Sequence, residues 1–162
     1  MLPPPVDPST FRAACGRFAT GVTVATVIGI DGRPQGLTAN SFVSVSLEPP
    51  LVLFCVDREA SVHSHFQTAK AFGISILDET QRAVSDRFAY GSGDRFEGIA
   101  WHPGPLGSPL LDGALVQLDC TVVQQIDAGD HTVFIGEVRH ADSRDGDPLL
   151  YFAGAYKRLE HD

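Results

Sequence analysis

Two hairpin signals between β-prone segments constrain the fold of this chain most strongly. Residues 22–30 are rich in β-branched side chains, Asp31-Gly32 favours a tight turn, and residues 35–47 supply the returning strand. Residues 115–126 and 132–141 form a second strand-like pair around a five-residue connection. Because short turns of this kind join antiparallel strands, the pattern predicts an antiparallel sheet.

Further strands are predicted at residues 51–56, at residues 72–77 and around Trp101. The helices between them are expected to be few and short: one is capped by Ser61, and another covers residues 78–88. Many strands linked by hairpins, with few helices, favour a mainly β antiparallel barrel over a doubly wound parallel sheet.

The N-terminal helix is predicted to have one apolar face. Asp7 is a good cap for a helix that begins at Pro8, and the apolar residues that follow have helical spacing: Phe11, Ala14, Cys15 and Phe18. We therefore expect this helix to dock on the barrel. Residues 1–8 are expected to be a flexible segment, and both termini to be helical or irregular.

Composition limits the partners of the chain. It has 12 basic and 20 acidic residues and a formal charge of −8, which argues against binding to nucleic acid or to an anionic membrane. A length of 162 residues predicts one domain over residues 1–162. With no apolar run near the roughly 18 residues of a membrane helix, and no signal-peptide pattern, we expect a cytoplasmic protein. Three widely spaced cysteines suggest neither a disulfide framework nor a zinc site.

Residues 36–50 have an unusual strand composition, because five small hydrogen-bonding side chains occur within nine residues. If this segment is one extended strand, Thr38, Ser44 and Ser46 face one way and mostly apolar side chains face the other. Small side chains let backbone amides approach a flat polar ligand, and hydroxyls both donate and accept hydrogen bonds. An ordinary strand with hydroxyls in solvent is the alternative interpretation.

Motifs before and after this segment extend the pattern to nearly the whole chain. Phe11-Arg12-Ala13 and residues 18–24 precede it, while Gly129-Asp130-His131 and Gly154-Ala155-Tyr156 follow it. In order and spacing these motifs resemble the flavin reductase family, whose fold is the FMN-binding split β-barrel with Greek-key-like connections. The resemblance implies an NAD(P)H:flavin oxidoreductase and a homodimer. It also implies hydride transfer from NADH or NADPH to N5 of FMN or FAD, with reduced flavin supplied by diffusion to a partner monooxygenase.

The resemblance implies flavin contacts in several segments. Along the ring edge they are Thr38, Ala39, Asn40 and Ser41, followed by Ser44 and Ser46; at the phosphate they are Cys55, Asp57, Arg58 and Ser61; beyond these are Phe88, Arg95 and Tyr156. A guanidinium fork and a hydroxyl suit a phosphate. The alternative, purely structural interpretations are a helix cap for Ser61, a solvated charge for Arg58, and packing roles for Phe88 and Tyr156.

His131 is the candidate catalytic residue, because in relatives this histidine points into the cleft where NAD(P)H meets flavin. Hydride transfer needs proximity and stacked rings more than an acid or a base, so we assign His131 a positioning and electrostatic role toward the dinucleotide. His63 and His65 are two residues apart, which separates them on a helix and makes a metal site there improbable.

Two alternative functions stay open. One is an enzyme of the same fold that retains its flavin as an oxygenase or acts on another acceptor, such as a corrinoid or a ferric complex. The other is a flavin-binding or haem-binding protein without turnover. The sequence does not distinguish FMN from FAD or NADH from NADPH. Since it lacks the glycine-rich dinucleotide fingerprint, we expect any nicotinamide cofactor to bind transiently on the flavin face.

Overall fold

The computed structural model describes residues 1–161, which form a mainly β structure with three α-helices and a 3-10 turn. The helices are α1 (Pro8–Cys15), α2 (His63–Thr68) and α3 (Arg82–Tyr90), with the 3-10 turn at Glu79–Gln81. The strands are β1 (Thr20–Gly21), β2 (Thr23–Ile28), β3 (Pro34–Ala39), β4 (Val43–Leu47), β5 (Pro50–Asp57), β6 (Ala71–Ile76), β7 (Trp101–Pro103), β8 (Pro109–Leu111), β9 (Val116–Ala128), β10 (His131–Ser143), β11 (Leu150–Phe152) and β12 (Ala155–Lys157).

A seven-stranded sheet with the order β3-β2-β6-β9-β10-β5-β4 dominates the fold, and every neighbouring pair in it is antiparallel. A three-stranded sheet, β1-β11-β12, and the β7-β8 pair accompany it. Both predicted hairpins are present: Gly32 has a φ of 76° in the β2–β3 turn, and Gly129 has a φ of 62° in the β9–β10 turn. The predicted mainly β, antiparallel fold is confirmed.

The large sheet curls around one apolar core. Ala25 of β2 and Phe54 of β5 belong to the same buried cluster although their strands lie near opposite ends of the strand order. The Phe54 ring lies 5.6 Å from Phe66 of α2, 4.9 Å from Phe72 and 5.5 Å from Phe134, measured between centroids. Aromatic pairs at such distances contribute beyond their buried area, so α2 is packed firmly onto the barrel.

A second cluster attaches α3 and the small sheet to the barrel. Its buried members include Val24, Leu77, Phe88 and Leu149. Phe88 packs edge-on against Phe96 with ring centroids 4.9 Å apart, which fixes α3 and the segment after it on the outside of β2 and β3.

The prediction of a single returning strand over residues 35–47 is wrong. It is divided at residues 40–42 into β3, which pairs with β2, and β4, which pairs with β5. These two strands lie at opposite edges of the seven-stranded sheet, so residues 40–42 cross the open side of the barrel. Because the crossing resets the alternation of side chains, the shared face inferred for Thr38, Ser44 and Ser46 does not exist.

The N-terminal helix forms as predicted but does not bury its apolar face. The Asp7 carboxylate caps α1 by accepting hydrogen bonds from the amides of Ser9 and Thr10, both at 3.0 Å. All eight residues of the helix are nevertheless exposed, and Phe11 and Phe18 have relative exposures of 60% and 79%. Periodicity identifies an apolar face but does not say which surface covers it.

Two smaller predictions are also wrong. The C-terminal region, expected to be helical or irregular, forms the β11–β12 hairpin, whose three-residue strands are too short to give a period-2 signal. Ser61 does not cap α2, since the cap residue is Val62. In the described part of the chain no helix is both long and apolar enough to cross a membrane.

Candidate functional site

A cleft of about 380 Å³ opens where β3, the segment before α2 and the glycine-rich loop after α3 meet. Its lining residues are Gln35, Ser61, Val62, Gly91, Ser92, Gly93 and Arg95. Three separate parts of the chain therefore form its walls, and we call it the polar cleft. Its position depends on the barrel, because β3 and α2 are both anchored in the barrel packing.

Arginine side chains hold the glycine-rich wall of the polar cleft. Arg95 donates from Nε to the Gly91 carbonyl at 3.0 Å and from Nη1 to the Gly36 carbonyl of β3 at 3.1 Å. Arg87 donates from Nη2 to the Asp94 carbonyl at 2.9 Å. A guanidinium has five N–H groups, so Arg95 ties the loop to β3 and retains donors for a ligand.

The chemistry of the polar cleft suits a phosphate. Its walls combine the Arg95 guanidinium with the hydroxyls of Ser61 and Ser92, and glycine amides can approach an anion closely. Among the described residues that line it, none has a carboxylate. In a chain with a formal charge of −8, such a site supplies the local positive potential that an anion requires.

The predicted ring-edge segment, residues 38–41, uses its hydroxyls inside the protein. Thr38 donates to the Ser85 carbonyl at 2.7 Å, and the Ser41 hydroxyl accepts from the Cys55 amide at 2.9 Å. Ala39 is buried and its carbonyl accepts from Thr23. Asn40 is exposed at the crossing between β3 and β4. Side-chain contacts thus fix this backbone, and a ligand there meets mainly main-chain groups and Asn40.

The remaining predicted serines and Cys55 lie on β4 and β5. Ser44 and Ser46 belong to the edge strand β4, where Ser44 is exposed and Ser46 is half-buried. Cys55 is half-buried on β5 and is tied to Ser41. The structure therefore brings Cys55 close to the ring-edge segment, and leaves Ser44 and Ser46 on a different strand from Thr38.

The connection from β5 to α2 lies beside the β9–β10 turn. Asp57 at the end of β5 accepts a hydrogen bond from the Glu59 amide at 2.8 Å, and the Arg58 amide donates to the Asp130 carbonyl at 2.9 Å. The Arg58 side chain is exposed. These contacts place the predicted phosphate-binding segment and the predicted catalytic histidine in one part of the molecule.

His131 begins β10 and pairs across the sheet with Asp57 of β5 and Ala128 of β9. Its Nδ1 lies 2.7 Å from the Asp130 carboxylate, and its side chain is 43% exposed. The hydrogen bond with His131 lowers the pKa of Asp130 below its usual value, and the charge of His131 adds to that effect. Asp130 therefore orients the imidazole through Nδ1, and this leaves Nε2 for another partner.

Comparison with known proteins identifies the family. The flavin reductase like domain family matches residues 15–160. The chain belongs to this family. A flavin-dependent monooxygenase reductase subunit, HsaB, from Mycobacterium tuberculosis is 40% identical over 158 residues, or 96% of this chain and 84% of that protein. The FMN reductase (NADH) SmoA from Agrobacterium fabrum is 43% identical over 150 residues, which cover 93% of this chain and 85% of the relative.

A solved structure supports the same assignment. The Streptomyces globisporus C-1027 NADH:FAD oxidoreductase SgcE6, in complex with NAD and FAD fragments, aligns with a TM-score of 0.90 at 39% identity over 99% of both chains. The resemblance to flavin reductases that the motifs predicted is confirmed.

Two predicted site residues of this flavin reductase family member have internal partners. Tyr156 places its hydroxyl 2.8 Å from the Ser85 hydroxyl and donates to the Asp86 carboxylate at 3.0 Å. Burial raises the pKa of Tyr156, and the hydrogen bond with Asp86 raises it further. Phe88 is 1% exposed in the second core cluster. Tyr156 thus ties β12 to α3, and the position of Phe88 gives it a packing role.

Sequence reasoning missed several lining residues of the polar cleft. Gln35 gave no signal, because its position on β3 matters only once α2 and the loop are packed beside it. Gly91, Ser92 and Gly93 have the composition of a turn or loop, which does not by itself indicate the wall of a site. Within residues 1–161, no group of three or more His, Cys, Asp or Glu side chains is arranged to hold a metal ion.

Proposed function

We propose that this chain is an NADH-dependent flavin reductase that acts as the reductase component of a two-component flavin monooxygenase. The observation that supports it most is the polar cleft, whose walls carry the Arg95 guanidinium and the Ser61 hydroxyl and no carboxylate among the described lining residues. Relatives that share 40% and 43% identity are named a monooxygenase reductase subunit and an NADH-dependent FMN reductase. The fold neighbour SgcE6 is named as an NADH:FAD oxidoreductase.

The flavin phosphate binds in the polar cleft in this proposal. Arg95 supplies the charge and Ser61 a hydroxyl, while Arg58, exposed at the start of the same segment, adds a second cation. Residues 39–41 at the crossing would hold the ring system, because the hydroxyls of Thr38 and Ser41 fix their backbone. Bound flavin supplies an acceptor for the nicotinamide hydride at its N5 atom.

His131 positions the dinucleotide. Its imidazole is held by Asp130 on an exposed hairpin end next to Asp57 and Arg58. The free Nε2 is available to a polar group of NADH, and no proton transfer is needed for hydride transfer to begin.

The protein is a homodimer in this proposal. Large apolar side chains of the N-terminal region and of β4 face solvent in one chain, with Phe18 79% and Leu47 95% exposed. Exposed apolar groups of this size are typical of surfaces that a partner covers. A flavin-dependent monooxygenase that receives reduced flavin by diffusion remains the proposed second partner, and a cytoplasmic location remains a prediction.

The test is anaerobic oxidation of NADH by the purified protein with FMN, FAD and riboflavin supplied separately. Bleaching of the flavin absorbance together with loss of NADH absorbance is the expected result. NADPH in place of NADH is the matched control and should react more slowly. Tight flavin binding without bleaching would contradict the reductase assignment and indicate a carrier, or an enzyme that uses another electron source.

A further inference from the structure

Ser61 and Val62 line the polar cleft, and helix α2 begins directly after them. The position of the helix therefore sets the position of this Ser61–Val62 wall. The helix has only six residues, and its cap residue is Val62, whose side chain cannot accept a hydrogen bond. Short helices without caps have little stability of their own. Contacts with other elements must therefore fix it, and two histidines of α2 make such contacts in different directions.

His63 joins α2 to the β9–β10 hairpin. Its Nε2 lies 2.9 Å from the hydroxyl of Thr132, a residue that is 3% exposed. The Thr132 hydroxyl donates its single hydrogen to the Asp127 carboxylate at 3.2 Å. Because that hydrogen is already used, His63 must be the donor, and it requires a proton on Nε2. This chain of hydrogen bonds passes through Thr132, the residue after His131, and ends at Asp127.

His65 joins α2 to the β2–β3 hairpin. Its Nδ1 accepts a hydrogen bond from the Ile30 amide at 3.2 Å. A Cβ at Gly29 would lie 2.6 Å from this nitrogen, so the close approach needs glycine there. The second strand of the hairpin contains Gln35, which lines the polar cleft. His65 thus fixes two cleft walls relative to each other.

We propose that His63 and His65 are positioning residues that hold the Ser61–Val62 wall between the two hairpins and so set the width of the polar cleft. The role rests on the proposed function, because it is a role in flavin binding. Neither histidine is among the lining residues of the polar cleft: His63 acts through Thr132, and His65 acts through the Ile30 amide. The two histidines have different hydrogen-bonding requirements. His63 needs a donor at Nε2, and His65 needs an acceptor at Nδ1.

Asparagine and glutamine discriminate between these requirements. An asparagine amide reaches about as far as Nδ1 of histidine, and a glutamine amide about as far as Nε2. His63→Gln should therefore keep the contact with Thr132 while His63→Asn loses it. At position 65 the order is reversed, because His65→Asn keeps an acceptor for the Ile30 amide and His65→Gln does not. The four variants form two matched pairs that differ by one methylene.

The experiment measures the FMN dissociation constant and the steady-state constants of the full chain for all four variants. We expect His63→Asn and His65→Gln to raise the FMN Kd and the KM for flavin by about threefold to tenfold, the effect of one lost hydrogen bond. The kcat should stay within about twofold, because the reacting groups are untouched. His63→Gln and His65→Asn should resemble the wild type.

Gln125→Ala is the control variant. Gln125 donates to the Gln67 carbonyl of α2 at 3.1 Å, at the end of the helix away from the Ser61–Val62 wall. Its removal should leave the FMN Kd unchanged. Amide hydrogen exchange over residues 61–68 is a second readout, and it should accelerate in His63→Asn and His65→Gln even where flavin binding is too weak to measure.

The outcomes are separable. Wild-type protein that binds FMN, with a Kd that none of the four substitutions changes, overturns this inference alone. A fall in kcat at constant KM, or equal losses in both members of each pair, also overturns it. Wild-type protein that binds no flavin overturns the proposed function and this inference together.

Discussion

The polar cleft and the exposed apolar side chains of the N-terminal region and β4 are built in opposite ways. In the cleft, Arg95 and the segments around it are fixed by hydrogen bonds to carbonyls of the same chain, such as the contact with Gly36 at 3.1 Å. In the other region, Phe11, Phe18 and Leu47 are between 60% and 95% exposed. Contacts within one chain therefore hold the walls of the cleft, whereas these apolar side chains remain exposed in one chain.

In the proposed dimer, flavin binding and association would therefore depend on different residues. A change in the cleft should alter flavin affinity and leave the oligomeric state as it is. A change in the apolar side chains should have the reverse effect, except where association itself supports the site.

Substitution of Arg95 should have the largest effect. Arg95→Ala removes a cation from the polar cleft and both hydrogen bonds that hold the loop, so FMN affinity should fall by about 30-fold to 100-fold. Fluorescence titration of FMN measures this, and Arg139→Ala, which changes an exposed arginine on β10, is the control. If Arg95→Ala binds FMN with wild-type affinity, the polar cleft is not part of the flavin site.

Charges placed on the apolar side chains should disrupt the proposed dimer. Phe18→Asp combined with Leu47→Asp should raise the dimer dissociation constant by about 30-fold or more, as the loss of large buried contacts at an interface does. Sedimentation velocity over a concentration series measures it. Ile30→Asp is the control, because Ile30 is 70% exposed in the β2–β3 turn. A wild-type protein that sediments as a monomer, or a double variant that still dimerises, would contradict this part of the account.

Substitution of His131 should separate the two substrates. His131→Ala should raise the KM for NADH by about fivefold to tenfold and leave the FMN Kd unchanged, because the loss is one charge-assisted contact outside the cleft. His140→Ala, at an exposed histidine of the same strand, is the matched control. An unchanged KM for NADH would contradict the dinucleotide-positioning role proposed for His131.

Substitution of Asp78 should change the free energy of unfolding in acid. It should affect neither the polar cleft nor the exposed apolar side chains. Hydrogen bonds from Thr80, with help from Arg144, hold the pKa of this carboxyl below its usual value. Since the folded state has the lower pKa, its contribution is complete above the unfolded pKa of about 4 and is lost as pH falls through the folded value. Asp78→Asn should therefore flatten the decline in unfolding free energy below about pH 4. Urea unfolding at several pH values measures this, and an unaltered acid decline would contradict it.

The sequence predicted the local parts of the fold well. The Asp31-Gly32 turn, the Asp7 cap and the hairpin before His131 depend on residues close together in the chain, and all three are present. The division of residues 35–47 was not predictable in the same way. The Ser41 hydroxyl bonds to the Cys55 amide of a later strand, and a pattern of alternating residues contains no record of that contact.

The site shows the same limit. Arg95 and Ser61 were predicted from motifs and lie together in the polar cleft, whereas Gln35 joined them only through packing between distant segments. Tyr156 and Thr38 were predicted as ligand contacts, yet their polar atoms bond to Ser85 or Asp86 of α3. A motif gives the residue type, and the tertiary structure decides which partner the side chain finds.

Comparison of FMN with riboflavin is the most direct test of the polar cleft as the phosphate site of a flavin reductase. The two ligands share the ring system and differ by the phosphate. We predict that the wild-type protein binds FMN at least about tenfold more tightly than riboflavin, the effect of charge-assisted hydrogen bonds to one phosphate, and that Arg95→Ala removes most of the difference. Equal affinity of the wild-type protein for FMN and riboflavin would contradict the account.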